Sequence, residues 1–297
     1  KASEVDAFFG TPSPFTRFGS AYNFIAEGIT RADWVTTVSP TYAREILTKT
    51  YGNGLDRILI NRQNNLTGIL NGIDYDFFNP ATDPRIFENF SAASVEHKKK
   101  NKEALLQALV LPPSNAPLFG LVSRLTDQKG IDLIVRAIPM FAGKHDAQFI
   151  FLGSGAQEYK QAMVDLQKAF PNHVRTQIGF DEQLAHRIYA ASDFFIMPSR
   201  FEPCGLGQMI AMRYGSIPIV RKTGGLADTV AHLKTGFVFE KQNYLSLEKA
   251  MRQALDVYTN NKKLLLAMRV RAMKKNFDFN ASARSYKKLY EKILKKK

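Results

Sequence analysis

Glu202 stands in Pro198-Ser199-Arg200-Phe201-Glu202-Pro203-Cys204-Gly205-Leu206-Gly207-Gln208. The run before it, Phe194-Phe195-Ile196-Met197, reads as a buried strand, and Leu206 through Tyr214 has helical apolar spacing. The carboxylate therefore sits between the end of a strand and the start of a helix, where open parallel α/β sheets bind ligands. Pro203 has no backbone N–H, Gly205 permits close approach, and a helix start leaves N–H groups for hydroxyl or phosphate oxygens. The next apolar run, Ile217 to Val220, leads into Thr223-Gly224-Gly225, which opens another helix. Cys204 could be a thiol nucleophile, but no histidine is near it in sequence.

Other turns add chemistry. In Ser123-Arg124-Leu125-Thr126-Asp127-Gln128-Lys129-Gly130, Arg124 and Lys129 can clamp a diphosphate, one as a bidentate fork and one as a point charge. Gly153-Ser154-Gly155 reads as a glycine-rich turn at a helix start. Phe180 follows Gly179 at the sheet edge; it either stacks on a nucleobase or fills a core. Asn71, before Gly72, is either a turn residue or a ligand contact. Cations, an aromatic, an acid and free amides along one edge suggest a sugar-nucleotide site.

The elements that must position these residues are regular from Leu118 onward. Strands are expected at Leu118–Val122, Gln148–Leu152, Arg175–Ile178, Asp193–Met197, Ile217–Val220 and Gly236–Phe239. Between and after them, helices are expected near 131–141, 156–169, 181–190, 206–214, 226–233, 245–258, 262–273 and 281–294. This is α/β: a doubly wound, Rossmann-like parallel sheet covered on both faces. Upstream, Trp34–Val38 and Leu66–Leu70 read as strands, Tyr42–Thr48 and Asn101–Leu109 as helices, and Phe8 to Phe15 as loop. Residues 74–84 read as a connection between domains.

With 297 residues and 45% hydrophobic content, the chain can bury one large core or two ordinary ones. No run is long enough to cross a bilayer, and one cysteine excludes an internal disulfide. The net charge is +14, from 41 Lys+Arg against 27 Asp+Glu. Much of the excess lies in Lys98-Lys99-Lys100 and at the carboxyl end, where such runs read as solvated faces. Zinc-finger spacing and RNA-binding aromatics are absent, so neither nucleic acid nor membrane is an expected partner. The polyanion alternative predicts salt-sensitive retention.

The stretches Val38 to Ile46, Gly68 to Asp74, Ser123 to Gly130, Ser199 to Leu206 and Arg221 to Val230 together resemble glycogen and starch synthases of the bacterial and plant type. The resemblance runs from roughly Phe8 to Leu289. It implies a GT-B fold and transfer of glucose from a nucleotide-diphosphoglucose, ADP-glucose over UDP-glucose, to an α-1,4-glucan with retention. Arg124 and Lys129 would neutralise the diphosphate, Glu202 would lie at the donor glucose near the Gly205 and Leu206 amides, Asn71 would reach in from the hinge, and Phe180 would stack on the base. Gly153, Ser154, Thr223, Gly224, Gly225 and Cys204 fall in matching donor loops. The implied partners are donor and glucan, without a metal or other cofactor. The implied compartment is a bacterial cytoplasm or a plastid. Residues 1–73 would be the end of the acceptor-side domain, 74–275 the donor domain, and 276–297 a helix packing back on the first. The family's Lys-x-Gly-Gly loop and amino-domain histidine have no match here. The expectation is a chain carrying the donor half of the site, with a non-catalytic binding module as the alternative.

Overall fold

The computed structural model describes residues 2–9, 17–18 and 21–295. The amino-terminal part holds α1 (Ala2–Phe9), an antiparallel pair β1 (Arg17–Phe18) and β2 (Ala21–Tyr22), and α2 (Phe24–Arg31). Then come β3 (Val35–Thr37), α3 (Pro40–Glu45), α4 (Asp56–Asn61) and β4 (Leu66–Gly68). Strands β3 and β4 pair in parallel. Phe8 and Phe9 end a helix rather than belong to a loop, and Gly10 to Phe15 lie outside the described residues. Residues 69–94 contain no helix or named strand.

After α5 (Lys98–Ala108) the units alternate: β5 (Leu118–Leu125), α6 (Ile131–Ala142), β6 (Gln148–Gly155), α7 (Gln157–Ala169), β7 (Val174–Ile178) and α8 (Glu182–Ala191). They continue as β8 (Phe194–Met197), α9 (Gly207–Arg213), β9 (Ile217–Arg221), α10 (Gly224–Thr229) and β10 (Phe237–Phe239). Helices α11 (Tyr244–Asn260), α12 (Lys262–Lys274) and α13 (Phe279–Leu294) close the chain. The six strands β5–β10 form one sheet in the order β10-β9-β8-β5-β6-β7, every pairing parallel. The α/β fold expected from the apolar runs is the fold observed.

Continuous apolar runs form these strands because both faces of a parallel sheet are covered. All four residues of β8 are buried. Across β8, β5 and β6, the rings of Phe194, Phe119 and Phe149 are neighbours, with Phe119 5.2 Å from Phe194 and 5.1 Å from Phe149. Phe141 of α6 packs edge-on against Phe119 at 5.6 Å. Each such ring contributes about 1.5–3 kcal/mol by burial. This aromatic layer fixes β5 beside β8, so the loops that follow them emerge side by side.

Three expectations need correction. Strand β6 runs through Gly155, so Gly153-Ser154-Gly155 is strand and not turn. Its glycines are required by the neighbour: a Cβ at Gly153 would lie 2.1 Å from the Ser123 carbonyl oxygen. Helix α10 stops at Thr229 because the chain turns at Leu233 (φ 57°) to bridge His232 to Gly236. Finally, Lys98 is no solvated charge. It is buried, and its ammonium donates to the carbonyls of Tyr189 (3.0 Å), Ala190 (2.6 Å) and Tyr214 (3.0 Å). It satisfies carbonyls left open where α8 and α9 end. Burial, with Arg269 nearby, pulls the Lys98 pKa well below its usual range.

Beside it, Asp193 accepts from Lys102 (2.9 Å), from the Leu118 amide (2.9 Å) and from Arg269. Burial pushes the Asp193 carboxyl up, but Lys102 and Arg269 outweigh it and hold the pKa at about 2. A depressed carboxylate pKa stabilises the fold above its unfolded value of about 3.9 and stops doing so as pH falls toward the folded value. Wild type should therefore lose on the order of 2 kcal/mol between about pH 4 and pH 2 through this residue. Asp193→Asn should be less stable at pH 7 and flatter in that window. Urea midpoints at pH 7, 4, 3 and 2 check this, and parallel curves would refute it.

Candidate functional site

The strand order places the site. Numbered along the sheet, β5 is the first strand, with β6 and β7 to one side and β8, β9 and β10 to the other. The winding therefore reverses between β5 and β8, and the crevice at their carboxyl ends is the place for a ligand. Arg124 is the penultimate residue of β5, Lys129 ends the short turn after it, and Glu202 follows β8.

These residues meet. The Lys129 ammonium donates to Glu202 Oε2 at 2.6 Å. Ser199 Oγ donates to the same oxygen at 3.0 Å. Both partners are largely withdrawn from solvent, at 15% exposure for the Lys129 side chain and 7% for that of Glu202. An ammonium has three donors, so one bond to Glu202 leaves others for an oxyanion. Arg124 is more open and donates to Gln128 Oε1 at 3.2 Å, while Gln128 donates to the Phe201 carbonyl at 3.3 Å. The two cations and the acid form one cluster across the reversal point.

Neighbours lock both loops. Arg200 forks onto Asp132 at 2.7 and 3.0 Å, and its amide donates to the Gln128 carbonyl at 2.8 Å. Arg221 Nε donates to the Ser199 carbonyl at 2.8 Å. Gly130 turns at φ 68°, where a Cβ would lie 2.3 Å from the Pro198 carbonyl oxygen. Only glycine lets the β5 and β8 loops approach so closely.

Gly224 and Gly225 pack onto the Glu202–Cys204 backbone, and the Gly225 amide donates to the Glu202 carbonyl at 3.0 Å. Gly205, at φ 75°, lies against the Glu202 side chain, and Leu206 caps α9, partly exposed. Thr223 Oγ1 and the Gly224 amide donate to Glu45 at 2.9 and 3.0 Å, so these groups already have protein partners. Cys204 is buried. Burial pushes its thiol pKa up, with the Asn71 backbone amide beside it acting in the opposite direction. A buried thiol held protonated is a poor nucleophile, which removes the thiol alternative. The same contact brings Asn71 to the Glu202 loop.

A second hollow of ≈ 290 Å³ adjoins the cluster, with Arg124, Gly153, Ser154 and Phe180 on its wall. Phe180 is 91% exposed, so its ring is not a core aromatic. Arg124 lines this hollow and is tied through Gln128 to the Glu202 loop. Arg124 thus shares one hollow with Phe180 and is linked through Gln128 and the Phe201 carbonyl to the loop that carries the Lys129–Glu202 pair. Sequence reading missed Ser199, Gln128, Asp132 and Glu45 as supports. Each lies inside or beside a motif, but nothing local says which loop it reaches. Among the described residues no group of three His, Cys, Asp or Glu could hold a metal, and no helix is long and apolar enough to span a membrane.

Comparison with known proteins follows the same lines. A family model for group 1 glycosyl transferases matches residues 102–274, and one for the starch synthase catalytic domain matches residues 5–61. Glycogen synthase 2 of Agrobacterium fabrum is 46% identical over 281 residues, covering 92% of this chain and 55% of the relative. Glycogen synthase of Kosmotoga olearia is 48% identical over 280 residues, covering 92% of this chain and 58% of the relative. The catalytic domain of starch synthase IV from Arabidopsis thaliana, solved with ADP and acarbose, superposes with a TM-score of 0.90 at 38% identity, over 99% of this chain and 62% of that one. The chain thus spans little more than half the length of the two glycogen synthases.

Proposed function

The chain belongs to the group 1 glycosyl transferases, with glycogen and starch synthases among its relatives, and from that premise we propose that its protein is a glucan synthase. It moves glucose from a nucleotide-diphosphoglucose, ADP-glucose in preference to UDP-glucose, onto the non-reducing end of an α-1,4-glucan with retention. The observation that carries this reading is the 2.6 Å Lys129–Glu202 contact at the β5/β8 reversal, beside Arg124.

As the bond from the anomeric carbon to the diphosphate breaks, negative charge grows on the leaving oxygens. Arg124 and Lys129 meet that charge directly, without need of a metal, and are already oriented by Gln128 and Glu202. Glu202, fixed by Ser199 and Lys129, faces the glucose. Phe180 presents its ring to the base. The preference for ADP draws on the ADP-bound starch synthase, whose chain is 38% identical.

Calorimetric titration of the protein with ADP and UDP tests the donor. ADP is expected to bind at least about tenfold more tightly, a difference of about 1.4 kcal/mol. Equal affinities would remove the preference, and no binding of either at millimolar concentration would refute the site. ADP binding without glucose incorporation by the full-length protein would make it a binding module instead.

A further inference from the structure

Helix α3 and its cap form an arm that reaches from the amino-terminal part onto the donor loops. Ser39 Oγ donates to the Pro203 carbonyl at 2.6 Å. Thr41 donates through its amide (2.8 Å) and its hydroxyl (2.7 Å) to the two carboxylate oxygens of Asp228. Glu45 accepts from Thr223 Oγ1 (2.9 Å) and the Gly224 amide (3.0 Å). The arm has a firm base: it leaves β3, which pairs with β4, and a Cβ at Gly68 of β4 would lie 2.0 Å from the Ser39 carbonyl oxygen.

The contacts continue from Glu45 to the acid. Gly224 is held at φ 42° with its Cα against the Glu202 carbonyl, where a Cβ would be 1.9 Å from that oxygen. The next amide, of Gly225, donates to the same carbonyl. The main chain of Glu202 is thus held from the Glu45 side, while its carboxylate is held from the β5 side by Lys129. Glu45 Oε2 is buried and makes no hydrogen bond among the described residues, so the side chain serves the α10 loop with one oxygen only.

We infer that Glu45 is a positioning residue: it couples the placement of the amino-terminal part to the orientation of Glu202. This rests on the glucan-synthase reading above. Displacing that part of the chain shifts the α10 loop and, through the Glu202 carbonyl, the acid. Binding of the base and diphosphate relies on Phe180, Arg124 and Lys129, so a change at Glu45 acts on turnover more than on nucleotide affinity. Misplacement of a reacting group by about 1 Å can cost about 100-fold in rate.

The test uses the full-length protein, with kcat from glucose incorporation and ADP affinity from calorimetry. Glu45→Ala and Glu45→Asp, which removes the acceptor or draws it back, should lower kcat by about 10- to 100-fold. ADP affinity should stay within about threefold of wild type, a shift of well under one decade. Glu45→Gln keeps an acceptor oxygen and should recover most of kcat. Asp193→Asn serves as a control, lowering stability while leaving kcat unchanged. Unchanged kcat in Glu45→Asp overturns the inference, as does a Glu45→Gln no better than Glu45→Ala. ADP affinity falling in step with kcat also overturns it. A wild type that binds ADP but transfers no glucose would refute the functional reading instead.

Discussion

On the proposed function, Lys129→Ala should lower turnover of the full-length protein by about 100- to 1,000-fold, the scale of losing one preorganised donor at a developing anion. Two effects combine. The ammonium proposed to meet the diphosphate is lost, and Glu202 loses the 2.6 Å partner that fixes its carboxylate. Among the described residues Ser199 is then the side-chain donor left to hold that buried carboxylate in place. Stability should also fall, because removing one partner of a buried ion pair leaves the other uncompensated. Arg124→Ala separates the effects. Arg124 is exposed and, among the described residues, hydrogen-bonds Gln128 alone, so its loss should cut turnover on a similar scale while the thermal midpoint hardly moves. The double variant Lys129→Ala/Glu202→Gln should regain stability but not activity. Near wild-type turnover in both single variants would end the proposed role of the two cations.

How much of this was legible beforehand depends on the range of the interaction. Strands β5 to β10 could be read because each is a short apolar run between turn signals, and the parallel order follows from the intervening helices. Arg124, Lys129 and Glu202 could be placed on one edge because each follows such a strand. Lys98 could not be read. Its acceptors, the carbonyls of Tyr189, Ala190 and Tyr214, lie 91 to 116 residues away, and a run of three lysines looks like a wet surface. Glu45 was equally hidden: its partner amide is 179 residues along the chain. Helices α2 and α4 leave no clear signal in the sequence because each is short and depends on packing more than on pattern. Gly153-Ser154-Gly155 reads as a turn because glycine signals one locally. Only the adjoining strand shows that it is there to admit a carbonyl.

Close backbone packing of the same kind seats the α10 loop on Glu202. Gly224→Ala should cut turnover by at least about 100-fold and destabilise the fold by roughly 1–3 kcal/mol. At φ 42°, an added Cβ would lie 1.9 Å from the Glu202 oxygen and 2.8 Å from its carbonyl carbon. Both are main-chain atoms, so no rotamer change relieves the clash. The α10 loop must move off Glu202, taking with it the Gly225 amide and the Glu45 contact. Two other glycines calibrate the result. At Gly207, the first residue of α9, the nearest atoms to a Cβ are 3.4 Å away, in Met197 and Phe195, an ordinary van der Waals contact, so Gly207→Ala should be nearly silent. At Gly28, inside α2, no other described atom beyond the helix's own backbone lies within 4 Å of a Cβ, and alanine should stabilise by about 0.5–1 kcal/mol. Urea melts and glucose incorporation across the three variants should rank them Gly28, Gly207, Gly224. If Gly224→Ala turned over like Gly207→Ala, the close seat of α10 on the Glu202 carbonyl would be incidental, and the acid would owe its orientation to Lys129 and Ser199 alone.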